Sequence, residues 1–336
     1  MYLLGIDIGG TKCAAVLAKC ALAQGLICDS IVDRIEFPTK ALERGADEIL
    51  EELASSIEKM YNRNFISAYD VAKIGISCGG PLDSKKGIIK SPPNLPGWDN
   101  VHIKEFFEKR FFVPVWLHND ANACAMAEYR FGAGRGYENI VFLTFGTGMG
   151  AGLILNGKLY TGRNDMAGEV GHIRLSEDGP LGYGKYGSFE GYCSGGGISN
   201  LAENMLKERI REGKTSSLEK KAKDSGITAK DVFDAMYAGD ELAKEIVTVS
   251  AKYLGRGLAI LADILNPEII IIGSIFTRNS DFYLPIVTEI VKKEALSHCS
   301  EELIIAPSML GDKIGDYAAL GIISDGMEFA DDEQNI

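Results

Sequence analysis

LLGIDIGGTK, Leu3 to Lys12, is a short apolar run broken by one acid and closed by two glycines. Leu3, Leu4, Ile6 and Ile8 supply the continuous hydrophobicity that a buried strand requires. Asp7 sits among them, where a carboxylate needs compensation for lost hydration. Gly9 and Gly10 then permit a turn whose backbone N–H groups converge on one small space, while Thr11 adds a hydroxyl and Lys12 a positive charge. Such a corner suits phosphate and a metal ion. Cys13 to Leu17 is apolar again without a helical period, so the unit reads strand, tight turn, strand. An ordinary hairpin whose Asp and Thr merely cap the turn would give the same pattern.

A second stretch weighs against that plainer reading. Asn139 to Gly152, NIVFLTFGTGMGAG, repeats the design: an apolar β run, a Gly-Thr-Gly turn, then Ala151 to Leu155 as another β run. Two such hairpins could close on one nucleotide from opposite sides. Between and beyond them the chain alternates strands and helices. Residues 2–37 read as three strands with a turn at Gly25, residues 41–60 as an amphipathic helix, and Val71 to Ser77 as a buried strand ending in Gly79-Gly80-Pro81. Ile103 to Phe111 suits a helix, Val113 to Leu117 a strand, and Ala121 to Phe131 a helix for which Asn119 or Asp120 is a natural N-cap. After Asn139 the pattern starts afresh. Residues 153–175 read as further strands, 178–197 as glycine-rich loop, Ile198 to Ile210 as helix and the later part of 207–226 as a solvated connection. The longest helix, Leu242 to Leu265, stops at Asn266-Pro267. Ile269 to Ile272 is a strand, followed by a helix, a strand at Leu303 to Ala306 and a last helix near Asp316 to Ile323.

The order therefore predicts a duplicated α/β architecture. Residues 1–134 would form an N-terminal α/β domain and 135–330 a C-terminal one. The last helix is a candidate to pack back on the first domain, and residues 331–336 form a frayed acidic tail. A length of 336 residues suits two domains at about 100 to 200 residues each. Hydrophobic content of 46% and charged content of 24% are ordinary for a globular chain. A net charge of −12 disfavours partners held by a broad cationic face, so neither nucleic acid nor an anionic membrane is expected. Seven scattered cysteines without a CxxC pair, no signal peptide and no long apolar run point to a cytoplasmic protein.

Two motifs mislead. Gly146 to Ala151 satisfies the GxGxxA dinucleotide pattern, but the β-like AGLILNG follows where a helix is required. Gly152 to Lys158 matches GxxxxGK, yet Leu159 stands where a magnesium-binding Ser or Thr is needed.

DIGGTK at 7–12, GGP at 79–81, NLPGW at 94–98, NDAN at 119–122, GTGMG at 146–150 and GEVGH at 168–172 resemble, in order, the signatures of the ROK family of sugar kinases and repressors. That family belongs to the actin-like ATPases, whose two ribonuclease-H-like domains enclose an interdomain active-site cleft. The resemblance implies an ATP-dependent kinase acting on a sugar hydroxyl, the 6-hydroxyl of glucose first, with ATP and Mg2+ as cofactors and a homodimer as the assembly. It implies that Gly9, Gly10, Thr11 and Lys12 form one phosphate loop and that Gly146, Thr147, Gly148 and Gly150 form the other. By the same resemblance Asp7 would lie at the magnesium end and reach the metal through water, and Gly273 and Ser274 would lie on the adenosine side. Gly80, Asn94, Asn119, Asp120, Glu169, His172 and Glu190 fall at substrate positions. Asp120 would be the general base, orienting the accepting hydroxyl and taking its proton late in a loose phosphoryl transfer. Without the resemblance, Asp120 reads simply as a helix N-cap and His172 as a structural histidine.

The chain departs from the family at Leu181 to Glu190, LGYGKYGSFE. Most members have a CxCGxxGCxE segment there that completes a zinc site, whereas Leu181, Tyr183 and Ser188 occupy the cysteine positions here. No structural zinc is expected, with Tyr183, Tyr186 and Phe189 packing to hold the loop instead. Four other functions compete with glucose phosphorylation. One is a kinase for N-acetylmannosamine, N-acetylglucosamine, fructose or a glucoside. A second is an actin-like ATPase that moves or assembles, against which the sugar-site constellation of Asn119, Asp120, Glu169 and His172 argues. Another is a catalytically weak sugar-binding regulatory protein. The last, a DNA-binding repressor, is disfavoured because only six residues precede Asp7.

Overall fold

A computed structural model of the chain describes residues 1–21 and 27–323. The turn at Gly25 and the acidic tail lie outside the described residues. The chain opens with three successive antiparallel strands, β1 (Tyr2–Ile8), β2 (Lys12–Ala21) and β3 (Ile27–Pro38). Then come α1 (Ala46–Arg63), β4 (Val71–Cys78), a short hairpin of β5 (Leu82–Asp83) and β6 (Ile88–Ile89), α2 (Ile103–Phe111), β7 (Val115–Asn119) and α3 (Asp120–Phe131). Because β4 runs parallel to β1 and β7 parallel to β4, the sheet order is β3-β2-β1-β4-β7.

The pattern then recurs. Strands β8 (Ile140–Phe145), β9 (Met149–Leu155) and β10 (Lys158–Leu159) precede a small hairpin of β11 (Leu181–Gly182) and β12 (Lys185–Tyr186). Helices α4 (Phe189–Tyr192), α5 (Gly195–Arg211), α6 (Leu218–Asp224), α7 (Ala229–Tyr237) and α8 (Glu241–Leu265) follow. The chain continues through β13 (Ile269–Ile272), α9 (Ile275–Arg278), α10 (Ser280–Glu294), α11 (Ser297–Ser300), β14 (Ile304–Pro307) and α12 (Ile314–Ile322). The second sheet has the order β10-β9-β8-β13-β14, with β13 parallel to both β8 and β14. Numbered within each sheet, both orders read third, second, first, fourth, fifth, so the fold is the duplicated α/β arrangement of the actin-like ATPases.

Two compact units result. Among the described residues, the first comprises Met1–Gly136, Gly152–Ala167 and 312–323, and the second comprises Tyr137–Ala151 and Gly168–Gly311. In the first, the alternation of β1 decides the layers. Leu4, Ile6 and Ile8 face a core shared with Leu53 and Ile57 of α1 and Phe107 and Phe111 of α2. Leu3 faces the opposite side, against Leu320 and Ile323 at the end of α12. Gly5 and Asp7 share that second face by strand period. In the second unit the four isoleucines of β13 are fully buried, and Phe145 and Phe276 lie against Tyr283, whose hydroxyl donates to Ser250 Oγ at 3.0 Å.

Several expectations need correction. Beyond Leu159 the segment up to residue 175 holds a loop and a 3-10 turn, Val170–His172, rather than further strands. Residues 178–197 are not simply loop, since they contain the β11–β12 hairpin, the Ser188-capped α4 and the start of α5. The start of α5 is concealed in the sequence by three weak helix formers, Gly195, Gly196 and Gly197. Gly197 is required because a Cβ there would lie 2.2 Å from the Gly191 carbonyl oxygen. The charged stretch after residue 216 forms α6.

Candidate functional site

In the first unit, β1 turns into β2 through Gly9 to Thr11, with the Gly9 N–H donating to the Lys12 carbonyl at 3.0 Å. Thr39 secures this turn from beneath: its buried hydroxyl donates to the Gly9 carbonyl at 2.6 Å and its N–H to the Thr11 carbonyl at 3.0 Å. Gly10 must be glycine for contact reasons, because a Cβ would stand 2.4 Å from the Asn94 carbonyl oxygen. Asn94 also borders Gly79, whose Cβ would lie 3.1 Å from Asn94 Oδ1, while Gly80 opens onto free space and begins a cis peptide bond with Pro81. The glycine turn, the Gly79-Gly80-Pro81 turn and the Asn94 loop are thus brought together. Thr11 and Lys12 are exposed, and Lys12 Nζ donates to Glu36 at 2.8 Å.

Register sets the acids. Asp7 lies beside Ser77 of β4, and Ser77 beside His118 of β7; one residue on, Ile8, Cys78 and Asn119 form the next row. The Ser77 hydroxyl bonds the Asp7 carboxyl and favours its ionised form, but desolvation dominates and the nearby charge of Asp120 adds to it, so Asp7 is pushed up to about 6. Asn119 is the N-cap of α3, its Oδ1 accepting the Asn122 N–H at 2.8 Å. Asp120 is the first residue of that helix and accepts the Ala121 N–H at 2.8 Å. Its own surface is open to solvent, yet the protein around it displaces enough water to hold its carboxyl above the usual range.

In the second unit, the Gly146-Thr147-Gly148 turn joins β8 to β9. The Gly146 N–H donates to the Gly148 carbonyl at 3.2 Å, and the Gly150 N–H to Thr144 Oγ1 at 2.9 Å. The first turn of α5 abuts it through the Gly195 N–H, which donates to the Gly146 carbonyl at 2.7 Å. Gly273 continues β13 by donating its N–H to the Leu143 carbonyl, and Ser274 follows at a left-handed φ of 57°, its hydroxyl 3.6 Å from where a Gly146 Cβ would stand. Such a φ is strained for serine and marks a position held by its surroundings.

Glu190 Oε2 accepts the Met149 N–H at 2.9 Å and stands 2.9 Å from where a Cβ at Gly148 would sit. Gly171, beside His172, packs against the Met149 carbonyl and Glu190 Cβ. The GEVGH segment, Glu190 and the second glycine turn are therefore contiguous. Glu169 is exposed, and His172 is half-buried with Tyr183 edge-on to its ring. Among the described residues, no group of three or more His, Cys, Asp or Glu could hold a metal ion. Ser188 caps α4, and the Cys193 thiol donates to the Ser250 carbonyl. The expected three-ring packing of the 181–190 loop is corrected: Phe189 is fully buried, whereas Tyr183 and Tyr186 are exposed. Phe189 can be buried because Gly257 of α8 leaves space for its ring.

Sequence reasoning missed Thr39, Ser77, Glu36 and Thr144. Each acts through a strand pairing or a long-range contact for which the sequence carries no local signal.

The sequence signature of the ROK family matches residues 3–325. The glucokinase of Halalkalibacterium halodurans is 34% identical over 317 residues, covering 94% of this chain and 92% of that protein. Among solved structures, a ROK family glucokinase from Streptomyces griseus in complex with glucose and AMPPNP superposes with a TM-score of 0.71 at 28% identity, over 95% of this chain and 98% of the other. A ROK family transcriptional regulator, homologous to the Escherichia coli Mlc protein, superposes at 0.78 with 25% identity, over 96% of this chain and 77% of the other. The chain belongs to the ROK family.

Proposed function

We propose that the chain is an ATP-dependent sugar kinase that transfers the γ-phosphate of ATP to a sugar hydroxyl, the 6-hydroxyl of glucose first. The observation that carries this reading is Asp120: a solvent-accessible carboxyl with a raised pKa, fixed at the first residue of α3 beside the Asn119 cap and electrostatically coupled to Asp7. A base of raised pKa accepts a proton more readily, which suits a hydroxyl that becomes acidic only late in a loose transfer. The glucose and AMPPNP complex of the Streptomyces griseus relative supports ATP as the donor and glucose as the acceptor.

The roles are assigned unit by unit. In the first unit Asn94, Asn119 and Asp120 are the candidates to bind a sugar hydroxyl, with Gly80 leaving open space. In the second unit Glu169, His172 and Glu190 are the candidates for the same role, and Glu190 also accepts the Met149 N–H. The amides of Gly10 and Thr11, with Lys12, and those of Thr147 and Gly148 would hold phosphate oxygens, while Gly9, Gly146 and Gly150 spend their N–H groups on shaping the two turns, and Gly273 and Ser274 would lie on the adenosine side. Magnesium fits this donor set, because it favours one or two carboxylates with phosphates and water over an all-protein cage, and Asp7 is the carboxylate that would hold it. When bound it would neutralise phosphate charge, and Asp7, pushed up to about 6, would meet it ionised only above that pH.

The test is to mix the protein with Mg-ATP and glucose, fructose, N-acetylmannosamine or N-acetylglucosamine, and to measure ADP and phosphosugar together, with Asp120→Asn beside the wild type. One sugar should give equal ADP and phosphosugar, and the variant should lose about two to four orders of magnitude in rate. The similarity to a transcriptional regulator favours a second reading, a sugar-binding regulatory protein. Sugar binding without turnover of any sugar would establish it and remove the kinase reading.

A further inference from the structure

Strands β11 and β12 form a tight hairpin in which Leu181 faces Tyr186 and Gly182 faces Lys185. The two residues at its tip, Tyr183 and Gly184, have φ values of 43° and 76°. Glycine adopts this region without penalty, but a bulky aromatic residue there is strained. Burial does not offset that strain, since Tyr183 is 68% exposed. The ring contact it makes is with His172: the centroids are 5.2 Å apart and the planes cross at 89°, the edge-to-face arrangement that aromatic pairs favour.

The same hairpin holds His172 a second time, through Lys185 Nζ, which donates to the His172 carbonyl at 2.7 Å. The hairpin is itself anchored. Ser188 Oγ donates to the Gly182 carbonyl at 3.2 Å, and Asn200 Nδ2 from α5 donates to the Leu181 carbonyl at 3.1 Å. A strained tyrosine is therefore carried on a secured hairpin with its ring against one histidine, whose backbone the next lysine grips.

We propose that Tyr183 is the positioning residue of the sugar site: its ring fixes the His172 imidazole so that a ring nitrogen meets a sugar hydroxyl without first being ordered. The proposal rests on the sugar-kinase reading for what His172 binds. A change of about 3- to 10-fold in affinity, roughly 0.6 to 1.4 kcal/mol, lies within the cost of ordering one free side chain on binding.

Tyr183→Gly in the full chain separates ring from hairpin, because glycine suits the left-handed φ and removes only the aromatic contact. It should leave the urea midpoint equal or higher and raise the KM for sugar about 3- to 10-fold, while the KM for ATP stays at the wild-type value. Tyr183→Phe keeps the ring and should restore the sugar KM. A second readout is the NMR relaxation of the His172 ring, one of only 4 histidines in the chain. The ring should become more mobile in Tyr183→Gly and remain ordered in Tyr183→Phe. An unchanged sugar KM in Tyr183→Gly overturns the proposal, as does a His172 ring no more mobile than in the wild type. A wild-type chain that phosphorylates no sugar defeats the kinase reading instead, and the ring-mobility comparison still decides whether Tyr183 holds His172.

Discussion

Asp7 is a carboxylate that the fold makes reluctant to ionise. It stands on the sheet face that α12 covers, and a Cβ at Gly315 would come within 4.0 Å of its Oδ2. Desolvation there, with the Asp120 charge added, outweighs the Ser77 hydroxyl and raises it from 3.8 to about 6. The sign of the consequence is fixed by linkage. Below 3.8 folded and unfolded chains both keep the proton, and the group has no effect on stability. Between 3.8 and about 6 the unfolded chain releases the proton while the folded chain retains it, so the unliganded protein loses stability as pH rises through this window and stays at the lower level above it. The full displacement corresponds to roughly 3 kcal/mol, which partial exposure of Asp7 screens to on the order of 1 to 2 kcal/mol. Asp7→Asn should accordingly raise the urea midpoint at pH 7.5 and erase part of the pH dependence between about 4 and 6. Equal midpoints for the two proteins at pH 7.5 would mean that Asp7 is not desolvated as the structure has it.

At the scale of elements, α3 carries the proposed base only while its first turn is fixed. Asn119 closes that turn by accepting the Asn122 N–H, and it is also the last residue of β7, so one side chain sets where strand ends and helix begins. Asn119→Ala should cost about 1 kcal/mol of stability, and Asn119→Ser, which retains a capping oxygen, should recover most of it in a denaturant titration. If serine proves no better than alanine, the cap is not what holds α3. This boundary was legible in the sequence because capping is local chemistry, and so were both glycine turns and the Asn266-Pro267 end of α8. Legibility failed where structure depends on what lies opposite. Nothing near Ser77 announces that register places it beside Asp7, and nothing near Thr39 announces that it underpins the Gly9 turn. The start of α5 was hidden for a related reason: its glycines answer to Gly146 and Gly191, not to helix propensity. The 181–190 segment reads as a departure from the family pattern, but its sequence does not reveal that Tyr183 and Lys185 converge on His172.

For the chain as a whole, the last described helix returns to the first strands. Helix α12 lies against β1, β4 and α3. Three glycines admit it: a Cβ on Gly5 would meet Ala319 Cβ at 3.1 Å, one on Gly75 would stand 2.0 Å from the Ala319 carbonyl oxygen, and one on Gly321 would come within 2.7 Å of the Ala127 nitrogen. Charge also links the helix to the Gly9 turn, through Asp316 to Arg34 at 2.8 Å, Arg34 to Glu36 at 2.6 Å and Glu36 to Lys12 at 2.8 Å. These pairs are largely exposed, and exposed pairs contribute about 0 to 1 kcal/mol each. Close packing is the stronger cause, because a backbone oxygen cannot move aside as a side chain can. Gly75→Ala should therefore cost about 1 to 3 kcal/mol by overpacking, and Arg34→Ala less than about 1 kcal/mol. Urea midpoints of the two variants decide between the causes: a larger loss in Arg34→Ala would assign the seating of α12 to the ion-pair chain and not to the glycine face.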